Sequence, residues 1–552
     1  MKVFFLLVTL FACNLAFSQH IQFNWQGCFY QSGYQLDSYE PSIVSAGDGY
    51  MILSCVETGN IIQPGDIIET DIRLVKIDTM GSLLWEKKFG GSDIEDAANI
   101  CSADSGNYYI FGSTGSADGG ATLPPYLPDG GLWLIKIDEF GNKIWDRVVG
   151  NPITIYGYGA DCISTKDLGV ITRVNTIGNG GDITVSYGGW DTWLLKINSI
   201  GSINWDFTLG TDGADFGGSP IQTSDNGYLI PLMCNPGSNG NILCDPNLQS
   251  TSIGRAVIVK LDSARNIEWQ QCMGASFHIG FSSVLEVNDG YIIGGFASAS
   301  DGAVEGAGYH LGYNNQGEQT ADLWLRKIDF NGNLIWQKCY GGSGNDFPLQ
   351  LFKTSDGNLV VFGETESRNG DVTGMHADPP YLFPLSEDVW MLKVNGTNGN
   401  MLWNRCIGST EREFINNGVI QKDDRNYVLA INTVFGNRGD ITCGVNEYKY
   451  FSWVSSITDT TAYVGIYDLV DISHTIKLYP NPADDYLVLE ISPQFDFQNY
   501  QAEIINSEGK TVKILSLLGR NPYISIGNLP SGLYLLRLEN QRMKASKRFL
   551  KI

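Results

Sequence analysis

Trp133-Leu134-Ile135-Lys136-Ile137-Asp138-Glu139-Phe140-Gly141-Asn142-Lys143-Ile144-Trp145 is the stretch that decides the fold. A run written Trp-Leu-x-Lys-Ile-Asp leads into a tight turn. Gly141 supplies the left-handed residue there, and a second strand reaches Trp145. The pattern predicts a β-hairpin. It recurs at Trp193 to Asn198, Trp324 to Asp329 and Trp390 to Asn395, with variants at Arg73 to Asp78 and Val257 to Asp262. The interval from the closing Asp or Asn to the next tryptophan is seven residues in five hairpins and eight in the sixth. Such constancy fits a fixed strand register.

The tryptophan that ends the hairpin recurs at Trp25, Trp85, Trp145, Trp205, Trp269, Trp336 and Trp403, spaced 60, 60, 60, 64, 67 and 67 residues apart. Periodicity of this kind signals a repeat architecture. Each unit opens on a turn before an apolar strand, as at Gly49-Tyr50, Asn107-Tyr108, Gly227-Tyr228 and Gly290-Tyr291. A long variable loop and the hairpin follow. Four strands per unit and seven units predict an all-β fold, a seven-bladed β-propeller of four-stranded blades. The chain begins on a tryptophan strand, Ile21 to Phe29. Its last repeat strand, Phe451 to Thr458, is of the partner type, with Ser456 in place of the lysine. The first strand is therefore expected to pair with the last and close a ring, removing a sheet edge.

Antiparallel order sends all long segments to one face: Gly115 to Gly131, Ile177 to Asp191, Cys234 to Gly254, Ala299 to Asp322, Glu366 to Asp388 and Asn437 to Tyr450. Loops on a rigid scaffold are the usual seat of function.

The 552 residues are 43% hydrophobic, only 17% charged, and include 65 glycines. That excludes disorder and favours a turn-rich β protein over a helical one. A net charge of −24 argues against nucleic acid and anionic membranes as partners. Residues 1–18 read as a signal peptide, with Lys2, an apolar core and small residues before Gln19. No later stretch is apolar enough for a transmembrane helix. The expected domains are 1–18 signal peptide, 19–458 propeller, 459–475 linker and 476–552 a small β-sandwich. The last carries 10 basic and 7 acidic residues, whereas residues 19–475 carry 25 and 53.

Cys28, Cys272, Cys339 and Cys406 each stand three residues after a tryptophan and read as buried free thiols in one repeated slot. Cys234 and Cys244, flanking a Gly/Asn-rich loop, are the expected local disulfide. The five histidines form no ligand or triad spacing, so no catalytic residue and no metal site is assigned. Loop carboxylates Asp118, Asp129, Asp182, Asp301, Glu305, Asp371 and Asp388 would serve a glycosidase. Most fall in repeated Gly-Asp turns, including Arg438-Gly439-Asp440, and read as turn chemistry. No cofactor is expected; structural calcium on these loops has no motif behind it. The candidate ligand-binding residues are Tyr126 and Tyr381, each in a Pro-Pro-Tyr-Leu loop, with Tyr187, Trp190 and Tyr309.

Leu478-Tyr479-Pro480-Asn481-Pro482, Asn506-Ser507-Glu508-Gly509-Lys510, Leu529-Pro530-Ser531-Gly532-Leu533-Tyr534 and the basic end Lys544 to Ile552 resemble the type A C-terminal sorting domain of the type IX secretion system. The sorting-motif residues are Tyr479, Pro480, Asn481, Pro482, Gly532 and Tyr534. The resemblance implies Sec export, handling by the type IX machinery, removal of the domain, and a cargo anchored at the outer surface or released. The repeats also resemble propeller-type repeats of such exported proteins. Together these readings predict a secreted or surface binding and adhesion propeller, with a glycan or surface protein as ligand. The alternatives are an extracellular carbohydrate-active enzyme and a subunit of a larger surface complex.

Overall fold

In the computed structural model, Gly131–Ile137 and Lys143–Val149 form the hairpin, with Lys136 opposite Trp145 and a bulge after Lys136. Asp138 builds the turn, its Oδ1 accepting from the backbone N–H groups of Phe140 at 2.9 Å and Asn142 at 2.7 Å. Gly141 takes φ 73°. The same bulge follows the recurring lysine in the other five hairpins, after Lys76, Lys196, Lys260, Lys327 and Lys393. One local solution is used six times.

The structure describes residues 21–30, 41–58, 69–104, 106–127, 130–152, 158–235, 237, 239–245, 254–376, 387–434, 438–444, 450–461, 470–471, 476–491, 500–507, 510–517, 522–539 and 543–552. Residues 1–18, the expected signal peptide, lie outside them. Two units divide the chain, Met1–Thr460 and Thr461–Ile552. Among the described residues the first unit holds seven antiparallel sheets. They span 42–89, 95–149, 158–209, 215–273, 279–340, 346–407, and 419–459 joined by 21–30. Neither unit contains a helix long and apolar enough to cross a membrane, among the described residues.

The fourth sheet departs from the four-strand expectation. Its first strand is split into Asp215–Gly217 and Ile221–Gln222, both pairing with Tyr228–Cys234. Gly218 and Pro220 lie in the gap. Gly218 presses so closely on the backbone of Ser282 in the next sheet that no Cβ fits, and Pro220 has no N–H to donate.

Ile21–Tyr30 pairs antiparallel with Phe451–Asp459, completing the seventh sheet. Trp25 lies opposite Ser456, the position at which the other six hairpins set tryptophan against lysine. Asn24 Nδ2 donates to Ser456 Oγ at 3.2 Å. The opening strands of the sheets converge. Ile43 N–H donates to Asn417 O at 3.1 Å, joining the first sheet to the segment entering the seventh. Asn417 Nδ2 also reaches Asp161 Oδ1 of the third sheet, at 3.3 Å and across 256 residues.

Sheets pack through two kinds of tryptophan. Those of the third strands, Trp133, Trp193, Trp324, Trp390 and Trp453, are fully buried. Those of the outer strands cover the sheet junctions, where a turn glycine of the following sheet lies on the indole. A Cβ would stand 2.6 Å from Trp25 at Gly81, 2.7 Å from Trp85 at Gly141 and 3.1 Å from Trp145 at Gly201. Among the six hairpin turns the exception is that of the fourth sheet, where Arg265 takes φ 72° in place of glycine and lays its guanidinium over Trp205 at 5.4 Å. The recurring lysines are buried, and five of the six reach back to the turn between the first two strands, whereas Lys393 meets Asp459 of the seventh sheet at 3.3 Å. Lys136 meets Asp104 at 2.9 Å, Lys196 meets Asp167 at 2.8 Å and Lys260 meets Asp225 at 2.8 Å.

The second unit pairs a five-stranded sheet with a three-stranded one. Ile476, Leu487, Leu489, Ile504, Ile524, Leu536, Leu538 and Phe549 form its core.

Candidate ligand-binding face

The long loops are fastened to the connections between sheets by one repeated rung. Asp182 N–H donates to Gly150 O at 2.8 Å, Asn241 N–H to Gly210 O at 3.1 Å, Asp371 N–H to Gly341 O at 2.8 Å and Asp440 N–H to Gly408 O at 2.8 Å. The residue before each is a glycine at positive φ, and a Cβ on it would strike the same connection: Gly181, Gly240, Gly370 and Gly439. Glycine is required twice over. The hydrogen bonds also place long loops and connections on one face.

The loop carboxylates spend their oxygens on this framework. Asp118 Oδ1 accepts from Ser92 N–H at 2.8 Å, Asp301 Oδ1 from Ser276 N–H at 2.9 Å, and Asp182 Oδ2 from Gly150 N–H at 3.1 Å. Asp440 binds Arg405 at 2.5 Å, so Arg438-Gly439-Asp440 is one more turn of the series. Glu305 ends a short 3-10 turn, Gly302–Val304. Asp129 lies outside the described residues. No group of three or more His, Cys, Asp or Glu side chains suited to a metal is present among the described residues.

Two expectations about cysteine are overturned. The disulfides are Cys28–Cys443 and Cys244–Cys272, while Cys234 is a buried thiol. Each bridge ties a long loop to the outer strand of its own sheet. Cys244 and Cys443 occupy the same place, three residues after the Asn or Asp of the rung, and Cys28 and Cys272 share the slot after tryptophan. Cys339 and Cys406 fill that slot too but stay thiols, because Ala307 and Gly374 stand where a loop cysteine would be needed.

Beneath the loops lie buried acids. Burial pushes Asp215 and Asp322 up to about 6, Asp346 to about 7 and Glu413 to about 8. Their partners are mainly hydroxyls and amides: Ser367 Oγ donates to Asp346 at 2.7 Å and Thr433 Oγ1 to Glu413 at 2.7 Å. Sequence reasoning passed over two histidines that the structure pairs. His310 Nδ1 is 2.9 Å from Asp322 Oδ2, and His376 Nδ1 is 2.8 Å from Asp388 Oδ2. Burial opposes charge on His376, but Asp388 and Asp440 outweigh it and hold the ring above its ordinary value. The shared signal was a histidine twelve residues before the first acid of the third strand.

The candidate aromatic residues separate into two kinds. Tyr126 is 39% exposed, and its hydroxyl donates to Asp182 of the neighbouring loop at 2.9 Å. Tyr187 and Trp190 are half-buried, with Trp190 against Phe216 at 6.4 Å. Tyr309 turns inward, donating to Thr320 O at 2.7 Å. Tyr381 lies outside the described residues. The loops and connections of the third to fifth sheets instead expose Val185, Leu243 (74%), Phe277, Leu311 and Tyr313 (59%). These had no motif to mark them. The short-turn end exposes Met80, Phe140, Ile200 and Phe330, one to a turn.

In the second unit Asn481 clamps the last strand, Met543–Lys551. Its Nδ2 donates to Arg548 O at 3.1 Å, and its Oδ1 accepts from Leu550 N–H at 2.9 Å. The flanking Tyr479–Pro480 and Asn481–Pro482 bonds are cis. Gly532 sits opposite Lys551, and Tyr534 stacks on Phe549 with ring centres 5.5 Å apart. Tyr479 remains exposed.

Residues 477–552 match the family model described as a secretion system C-terminal sorting domain. That domain directs type IX export to the cell surface or extracellular space. No curated relative matches the chain. Among solved structures, the chain is similar to a DUF4221 family member from Bacteroides vulgatus (9% identity, 80% of this chain and 98% of that one, TM-score 0.33). It is also similar to the GH93 alpha-L-arabinofuranosidase of Fusarium graminearum with arabinobiose (10%, 79% and 98%, 0.35). A third likeness is to the full extracellular region of plexin A4 (9%, 95% and 67%, 0.43).

Proposed function

We propose that this chain, exported on the strength of its sorting domain, delivers a seven-bladed β-propeller that works outside the cell as a binding and adhesion module. Seven sheets, with the first strand completing the last, support the ring. One observation carries the binding reading: Val185, Leu243, Phe277, Leu311 and Tyr313 are exposed on neighbouring loops that rungs and a disulfide hold from beneath. Rigid loops lose little entropy on binding, and exposed apolar groups gathered on one side mark interaction surfaces. Aliphatic side chains beside aromatic rings suit a polypeptide better than a sugar, which stacks on rings. The ligand is therefore read as a surface protein. An enzyme using the loop carboxylates is disfavoured, because Asp118, Asp182 and Asp301 already accept hydrogen bonds from backbone amides.

The test uses the secreted full chain with a photo-crosslinking residue at Leu243, applied to the producing cells. A discrete protein adduct is expected. It should be lost in Leu311→Ser/Tyr313→Ser and kept in Phe140→Ser, at the opposite end. Glycan-array binding that survives the double substitution, with no protein adduct, would reverse the reading.

A further inference from the structure

We propose that Cys101 and Cys162 form a third disulfide, joining the opening strands of the second and third sheets. Cys101 lies in Glu95–Ser102 and Cys162 in Tyr158–Ser164, and their sulfurs are 3.0 Å apart. That is closer than two unbonded sulfurs rest, and about 1 Å from the ~2.05 Å of a bond. Small rotations of two side chains close the gap.

The two thiols differ in access, and the difference orders the chemistry. Cys101 is half-buried, whereas Cys162 is buried and its thiol is pushed up by burial and by the neighbouring sulfur. The Cys101 thiolate attacks a protein disulfide of the thiol–disulfide oxidoreductase class and releases one of its thiols. The Cys162 thiolate then attacks Cys101 Sγ in the mixed disulfide and releases the second. Two protons leave the cysteines, and two electrons pass to the oxidoreductase, which ends as a dithiol. The second attack belongs to folding, before packing of the two strands raises the Cys162 pKa.

The other thiols lack such a partner. Cys55 donates towards Glu95 O, Cys234 lies beside Asp215, and Ala307 and Gly374 face Cys339 and Cys406. The setting is oxidising, since the same unit carries two disulfides and the chain is delivered outside the cell. The role differs as well. Cys28–Cys443 and Cys244–Cys272 each fasten a loop within a sheet, whereas this bond would tie sheet to sheet near the convergence point marked by Asp161, one residue from Cys162.

Peptide mapping tests it without any substitution. The secreted full chain is equilibrated in a glutathione redox buffer, alkylated with iodoacetamide in denaturant and cut with trypsin unreduced. Cleavage gives peptide 89–136 with Cys101 and peptide 148–166 with Cys162, neither holding another cysteine. A cross-linked pair in more than half of the molecules is expected, lost on reduction and absent from Cys101→Ser. Both peptides alkylated, in protein whose Cys28–Cys443 link is intact, would overturn the proposal.

Discussion

Gly81 lies against the indole of Trp25, so close that a Cβ would fall 2.6 Å from the ring. The first residue belongs to the first sheet and the second to the strand that completes the seventh. The contact packs the first sheet against the strand whose pairing completes the seventh.

Gly81→Ala should destabilise the first unit by about 2–4 kcal/mol, since it combines left-handed strain of about 1–2 kcal/mol with displacement of the indole. Gly374→Ala is the reference: φ is 84° but nothing lies within 4 Å, so only the strain of about 1–2 kcal/mol applies. Equal losses in chemical denaturation would refute the stacking role.

The two tryptophan series should separate in the same assay. Trp193→Ala, in a fully buried position, is expected to cost about 3–5 kcal/mol. Trp145 is half-buried, and its replacement should cost about 2–3 kcal/mol. A larger loss at Trp145 would mean that sheet junctions dominate over sheet interiors.

Cys28→Ser should cost about 2–4 kcal/mol and expose Ile21–Tyr30 to protease. Cys406→Ser, in the same slot but without a bridge, should leave the digestion pattern unchanged. Protection of the first strand in Cys28→Ser would show that pairing alone holds it.

Stability should fall as pH rises from about 5 to 8. Asp215, Asp322, Asp346 and Glu413 have folded values raised above their unfolded ones, so the native state holds more protons across that interval. His376, also raised, acts in the same direction. Lowered acids such as Asp225, at about 2, work only under more acid conditions. The melting temperature should be higher at pH 5.5 than at pH 8, and Glu413→Gln should flatten the slope. A melting temperature that climbs with pH would contradict these assignments.

Asn481→Ala removes two hydrogen bonds to the last strand, at about 1–3 kcal/mol. Secreted yield should drop while the melting transition of the first unit stays in place. Normal export would show that the clamp is dispensable for sorting.

Much of this was legible in the chain because the determinants are local and repeated. Asp or Asn at the hairpin start, the turn glycine and the Lys–Trp register are all set within a dozen residues. The disulfides were misread for the opposite reason. Cys443 finds Cys28 only when the first strand counts as part of the seventh unit, and Cys244 finds Cys272 by crossing a loop to an outer strand. The split strand of the fourth sheet was written in Gly218 and Pro220, which weigh little against a strong repeat. Tyr309 and Trp190 were placed on the loop face because sequence marks the loop but not the direction of a ring. Leu243 and Tyr313 were missed because isolated apolar residues in loops carry no pattern.

Ile21–Tyr30 is synthesised 415 residues ahead of the stretch to which Cys28 is bonded, and the segment that receives it, Phe451–Asp459, comes shortly before residues 477–552. A ribosome that halts before residue 443 makes a product with neither the partner of Cys28 nor the address. A product bearing the address always carries both halves of the clasp. Linear order along the polypeptide thus ensures that any chain long enough to include residues 477–552 holds both strands of that pairing.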